Sequence, residues 1–158
     1  MKQTYLEMIG LVERLHRECL EVIKADLDRH AVRDLNNVQA LILFNIGAEE
    51  LSVGELTERG YYLGSNVSYN VKKLVENGYL TQQRSLHDRR TVIVRLSEKG
   101  LAIRDKMQAM FDRHATMLAA GVVGKDDLSA ANRALRQVER FWSGRFDSPA
   151  TPARAGAA

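Results

Sequence analysis

The residues from Gly64 to Gly100 constrain the fold more tightly than any other part of the chain, because the pattern there turns from helical to stranded and back within one short run. Val67, Val71, Leu74 and Val75 recur at helical spacing and form one apolar stripe. Ser65, Tyr69, Lys72 and Lys73 then fall on the opposite face, which is small, polar and cationic. Asn77-Gly78 offers a left-handed stop, after which Tyr79 to Ser85 and Thr91 to Leu96 read as two strands around Leu86-His87-Asp88-Arg89-Arg90. The product is a helix beside a basic hairpin.

Charge points the same way. The stretch holds Lys72, Lys73, Arg84, Arg89, Arg90, Arg95 and Lys99 against Glu76, Asp88 and Glu98, a net of +4 where the whole chain carries +3. The basicity is therefore local. A cationic helix face next to a cationic hairpin tip suits duplex DNA, whose major groove admits a helix and whose phosphates flank it. Each piece alone is compatible with a solvated helix face and an ordinary hairpin. Their succession, and the short helix before them, favour a double-stranded nucleic acid partner.

That preceding helix is announced by Ser52-Val53-Gly54-Glu55, a capping box in which hydroxyl and carboxylate each satisfy a free amide at the start of a helix through Arg59. Gly60 and Gly64 bracket a turn, and the pair of helices around it reads as a helix-turn-helix whose second member enters the major groove.

Gly64-Ser65-Asn66-Val67-Ser68-Tyr69 through Leu74-Val75-Glu76-Asn77-Gly78-Tyr79-Leu80, then Asp88-Arg89-Arg90 and Leu96-Ser97-Glu98-Lys99-Gly100, resemble the MarR family of winged helix-turn-helix regulators. By architecture the resemblance covers most of the chain, with the Asp-Arg-Arg turn and Leu-Ser-Glu-Lys-Gly its most diagnostic part. Asn70 stands where that family usually carries an apolar residue, which points either to a small roll of the helix or to a role for Asn70 in recognition. The resemblance also implies a homodimer and an effector cavity between the dimerisation helices and the winged domain.

The rest of the chain reads as helical scaffold. Leu6, Ile9, Val12, His16, Cys19, Ile23 and Leu27 recur at steps of three or four from Gln3 to about His30, one amphipathic helix about seven turns long. Leu11, Leu15, Leu20 and Val22 widen its apolar surface enough for two partners, its own domain and a second subunit. Asn36 caps a second helix, with Val38, Leu41, Ile42 and Ile46 inward and Gly47 at its end. Ser97 caps a long helix bearing Leu101, Met107, Met110, Phe111, His114 and Leu118 to about Ala120, broken by Gly121 and Gly124. Asp126 or Asp127 opens the last helix, striped by Leu128, Ala131, Leu135, Val138, Phe141 and Trp142. The lone Trp reads as a packing anchor. The expected organisation is an N-terminal dimerisation helix over 1–34, a winged helix-turn-helix over 35–100, C-terminal dimerisation helices over 101–146 and a disordered tail over 147–158. The fold class is mainly α with a small β-hairpin wing.

Composition supports this class and removes others. A chain of 158 residues with 45% hydrophobic content can bury one real core, and both prolines lie in the last ten residues, so nothing opposes long helices before them. No apolar run approaches the ~18 residues of a spanning helix and the N-terminus lacks a signal pattern, so the expected setting is the cytoplasm, away from membranes. Cys19 is the only cysteine, which excludes an intrachain disulfide and zinc ribbons. No phosphate loop, nucleophile elbow or HExxH is present, and His87-Asp88 sits on a hairpin tip with nothing to exclude water, so the chain is not expected to be an enzyme. No cofactor is implied. His16 and His114 offer at most two zinc ligands where three or four are needed, so no metal site is expected.

The expected function is that of a homodimeric, sequence-specific regulator of transcription on a pseudo-palindromic duplex, modulated by a small-molecule effector. Ser65, Asn66, Ser68, Tyr69 and Lys72 are the expected groove contacts, Lys73 and Arg84 the phosphate contacts, and Arg89 or Arg90 the wing-tip contact. Asp88 is expected to organise the wing by pairing with Arg84 or Arg90. Tyr5, His16, Leu43, Phe44, Met107, Phe111 and His114 are candidates to line an effector cavity, or else simply core. Two alternatives stand beside this reading: a winged-helix protein-interaction module that never touches DNA, and a redox-sensing regulator using Cys19.

Overall fold

The computed structural model describes residues 1–58 and 64–144, with side chains in the second stretch from residue 66 onward. The expected turn between Gly60 and Gly64, the side chain of Ser65 and the expected disordered tail lie outside the described residues. Two compact units are present, Met1–Asp112 and the part of the chain from Arg113 onward.

The first unit opens with α1 (Lys2–Arg29), followed by α2 (Asn37–Ile46), β1 (Leu51–Ser52), α3 (Val53–Glu58), α4 (Gly64–Glu76), β2 (Leu80–Arg84), β3 (Val92–Leu96) and α5 (Glu98–Ala119), which runs on into the second unit. The apolar surface of α1 is used unevenly: Ile23 and Leu27 are buried, whereas Leu6, Val12 and Leu15 stay exposed. The C-terminal half of α1 thus belongs to the core of the winged unit, where Asn37 Nδ2 also donates to the Leu20 carbonyl at 3.1 Å.

Helix α2 begins at a full capping box. Asn36 Oδ1 accepts from the Gln39 amide at 2.8 Å, and Gln39 Oε1 accepts from the Asn36 amide at 3.1 Å. Its buried residues are Gln39, Ala40, Ile42, Leu43 and Ile46, while Val38 and Leu41 are only partly covered. All four expected inward residues meet the core, Ile42 and Ile46 within it and Val38 and Leu41 against it, and Ala40 and Leu43 join them because the helix is apolar nearly all round. Gly47, at φ 65°, ends it.

The sheet has three antiparallel strands in the order β1-β3-β2, one more than the expected hairpin. Leu80 pairs with Leu96 and Arg84 with Val92, so Leu80, Val94 and Leu96 face the core. Leu51 pairs with Val94 and Ser52 with Ile93, which ties the start of α3 to the root of the wing. Ser52 then forms the expected box with Glu55: Glu55 Oε2 accepts from the Ser52 amide at 2.7 Å and Ser52 Oγ from the Glu55 amide at 3.0 Å.

Helix α4 buries Val67, Val71 and Leu74 as its stripe dictates. Truncating the fully buried Leu74 to Ala in such a core costs about 2–5 kcal/mol. Gly78, at φ 76°, turns the chain from α4 into β2. Ser97 Oγ accepts from the Gly100 amide at 3.1 Å and donates to the Gly78 carbonyl at 2.6 Å, capping α5 and fastening it to the end of α4. A Cβ on Gly100 would overlap the Tyr79 carbonyl oxygen, which is why this position of the Leu-Ser-Glu-Lys-Gly run is glycine.

In the second unit, α6 (Lys125–Trp142) follows a turn with Gly121 at φ 128°. Gly124 is its N-cap, ahead of the expected start at Asp126 or Asp127, and it has no buried residue; Phe141 is 66% and Trp142 60% exposed. At 60% exposure Trp142 is not the buried packing anchor expected of it.

Candidate nucleic-acid interface

Burying Val67, Val71 and Leu74 fixes the roll of α4, and with it the outward side chains. Asn66, Ser68, Tyr69 and Lys72 are exposed, Tyr69 by 62%, and lie on one accessible face. Asn70 is partly covered, and its Nδ2 donates to the Asn66 carbonyl at 2.8 Å one turn back. That bond satisfies the side chain inside the helix, so the polar residue sits beside the apolar stripe while Val67 and Val71 remain buried.

The cations of α4 are not equally available. Lys73 Nζ lies 2.8 Å from Glu76 Oε2, whereas Lys72 Nζ is 3.9 Å from Glu76 Oε1. The hydrogen bond to Glu76 raises the Lys73 pKa and lowers that of Glu76. Glu76 thus offsets part of the positive field at the C-terminal end of the face. Lys72 is the better-presented charge, with its side chain 76% exposed.

At the wing tip the expected ion pair is replaced by a backbone-centred arrangement. Asp88 Oδ1 accepts from the Arg90 amide at 2.9 Å and Oδ2 from the Thr91 hydroxyl at 3.0 Å. Asp88 does organise the turn, but not by pairing with the side chain of Arg84 or Arg90, because in a tight turn the carboxylate meets the amide two residues on before it can reach a guanidinium. Ser85 Oγ accepts from the amides of His87 and Asp88 at 3.2 and 3.4 Å, and Arg84 Nη1 donates to the Arg89 carbonyl at 3.4 Å. Arg89 and Arg90 are left projecting from a turn whose one carboxylate is engaged internally.

A polar clasp behind α4, which local sequence patterns did not signal, sets its far end. Tyr79 is buried and its hydroxyl donates to Asp34 Oδ1 at 2.6 Å. Lys99 Nζ sits 2.6 Å from Asp34 Oδ2, 4.0 Å from the Tyr79 ring centroid and 3.0 Å from the Asn77 carbonyl. Asn77 Nδ2 donates to the Asp34 carbonyl at 2.9 Å. Hydrogen bonds from Lys99 and Tyr79 hold the Asp34 carboxyl below its ordinary pKa, the bond to Asp34 raises Lys99, and burial followed by Asp34 raises Tyr79. The α1–α2 loop, the end of α4 and the start of α5 are thereby joined at one point.

The candidate effector residues divide. Leu43 and Met107 are buried in the core, and Phe44 and Phe111 pack against it with ring centroids 5.1 Å apart and planes tilted by 57°. Tyr5 and His16 are exposed on α1, and His114 is partly covered on the second-unit part of α5. Cys19 is partly buried, which pushes its thiol pKa up and disfavours the thiolate that oxidation needs. Among the described residues no group of three or more His, Cys, Asp or Glu side chains converges to hold a metal ion, and no helix is long and apolar enough to cross a membrane.

Comparison with known proteins agrees with this fold. Residues 33–91, from the α1–α2 loop through the wing tip, match the model of the MarR family. The exopolysaccharide II synthesis transcriptional activator ExpG of Rhizobium meliloti is 35% identical over 139 residues, covering 88% of this chain and 72% of ExpG. Among solved structures, Streptococcus pneumoniae FabT in complex with DNA superposes with a TM-score of 0.71 at 17% identity, over 90% of this chain and 99% of FabT. Staphylococcus aureus MarR in complex with salicylate and kanamycin gives a TM-score of 0.71 at 18% identity, over 91% of this chain and 95% of that one. The chain belongs to the MarR family and is a transcriptional regulator rather than an enzyme.

Proposed function

We propose that the protein binds double-stranded DNA as a homodimer on a pseudo-palindromic operator, and that a small organic effector modulates the binding. The observation that carries this reading is the outward face of α4: a rigidly seated helix presents Asn66, Ser68, Tyr69 and Lys72 beside a turn that projects Arg89 and Arg90. Ser65 remains an expected groove contact, with its side chain outside the described residues. Asn66, Ser68 and Tyr69 supply donors, acceptors and an aromatic edge for bases. Lys72, Lys73 and Arg84 supply charge for phosphates, and Arg89 or Arg90 a guanidinium for the minor groove. The solved complex of FabT with DNA, on the same fold, supports this use of the scaffold.

Homodimerisation is supported by apolar surface left uncovered in each unit: Leu6, Leu11, Val12 and Leu15 on α1, and Leu128, Leu135, Phe141 and Trp142 on α6. A second copy covers such surface most economically by twofold symmetry. The effector is supported by the salicylate and kanamycin bound to S. aureus MarR, with the Phe44–Phe111 pair as the aromatic wall in this chain.

The test is in vitro selection of duplexes from a randomised library, followed by sedimentation of the complex. The expected result is an inverted repeat with half-sites about one helical turn apart, bound by two protomers. Recovery of no enriched duplex, or a folded monomer that stays monomeric at micromolar concentration, contradicts the proposal.

A further inference from the structure

Leu86 sits at the tip of the wing and is 99% exposed, so it contributes nothing to the packing of the chain. The turn that carries it is firmly held. The Ser85 amide donates to the Thr91 carbonyl and the Thr91 amide to the Asp88 carbonyl, both at 2.9 Å. Ser85 Oγ takes up the amides of His87 and Asp88, and the Asp88 carboxylate takes up the Arg90 amide and the Thr91 hydroxyl. A side chain carried on an ordered turn meets a surface without the cost of ordering the backbone beneath it.

The surroundings of Leu86 indicate what that surface is. Arg84, Arg89 and Arg90 flank it against the single Asp88, so the net field around the side chain is positive and favours a polyanion. A polyanion with an apolar recess is what the minor groove of DNA offers: its walls are deoxyribose C–H surface and its width, about 6 Å, admits a side chain but not a helix. Proteins that enter the minor groove commonly pair cations with apolar side chains, often driven as wedges between base steps; a single leucine on a turn beside arginines suits the shallower contact with the groove walls.

We propose that Leu86 is the apolar contact of the wing, packing on the deoxyribose walls of the minor groove beside the arginine that enters it. The proposal rests on the duplex-binding reading above. It assigns to the wing a component of affinity that does not depend on salt, next to the counterion-linked component of Arg89 and Arg90.

The experiment is a salt series of binding isotherms on a fluorescent duplex taken from the in vitro selection, for the wild type, Leu86→Ser and Leu86→Met. Leu86→Ser is expected to bind about five- to tenfold more weakly at every salt concentration, from the apolar area lost, with a slope parallel to the wild type. Leu86→Met, which keeps the apolar volume, is expected to stay within about twofold. Unfolding midpoints of all three should coincide, since Leu86 supports no part of the fold. If the wild type binds with steep salt dependence and Leu86→Ser binds equally well, the proposal is overturned while the duplex-binding reading stands. Lost regulation of a reporter with unchanged duplex affinity also overturns it, assigning Leu86 to a protein partner. A wild type that binds no duplex overturns both.

Discussion

Tyr79→Phe and Asp34→Ala remove opposite ends of one hydrogen bond, yet the two losses are expected to differ, because only one of the groups can turn to water. Tyr79 is 1% exposed, whereas the Asp34 side chain is 50% exposed and also holds Lys99 at 2.6 Å. In Tyr79→Phe the carboxylate keeps Lys99 and gains solvent, so the cost is one hydrogen bond to a charged acceptor at the low end of its range, about 1.5 kcal/mol. In Asp34→Ala the buried phenol loses its acceptor and bears its own desolvation, which brings the loss to about 2–3 kcal/mol. The Asp34–Lys99 pair adds little to this, since exposed pairs contribute about 0–1 kcal/mol. The double variant should cost less than the sum of the singles, because the two residues share one interaction. Urea unfolding followed by circular dichroism at a fixed protomer concentration measures all three, the concentration being held because association stabilises the folded state. The midpoints should fall in the order wild type, Tyr79→Phe, Asp34→Ala at constant slope. A Tyr79→Phe loss equal to or larger than that of Asp34→Ala refutes the assignment of Asp34 as the acceptor that makes burial of Tyr79 tolerable.

The same clasp has a pH signature: a carboxyl lowered in the folded state adds stability above its unfolded pKa, and this is lost as pH falls through the folded value. The difference in unfolding midpoint between wild type and Asp34→Asn should therefore be flat near neutrality and shrink below about pH 4, as denaturant titrations will show. Glu76→Gln releases Lys73 and lifts the partial neutralisation of Lys72, so it should tighten binding to an unrelated duplex at low salt and steepen the salt dependence; unchanged affinity means that neither lysine meets phosphate. Cys19, with its thiol raised by burial, should react more slowly with iodoacetamide at neutral pH than an unfolded control, and a faster reaction would favour redox sensing.

What could be read from the sequence was what local pattern determines. The stripe Val67, Val71, Leu74 specifies which side of α4 is buried, and Asn77-Gly78 and Ser97 mark the joints of helix and strand by backbone and capping chemistry alone. The full width of the buried face of α2 was not legible, since Val38 to Ile46 is apolar on almost every side and its period carries little phase information. The strand Leu51–Ser52 is too short to show alternation. The clasp lay beyond local reading, since Asp34 meets residues 45 and 65 positions away. At Asp88 the residue was legible and its partners were not, because charge suggests arginine while turn geometry selects an amide. For the effector candidates the same apolar residues serve a core or a wall, and Leu43 and Met107 are core.

The central claim is that α4 reads bases while the cations around it hold phosphates, and the measurement that tests it most directly is a salt titration of wild type and Tyr69→Ala on the selected duplex and a scrambled one. Tyr69 is exposed and bears no charge, so its loss should cost about 1–3 kcal/mol on the selected duplex, little on the scrambled one, and leave the salt slopes unchanged. Wild-type binding that is insensitive to salt, or a Tyr69→Ala variant that weakens both duplexes alike, contradicts the account.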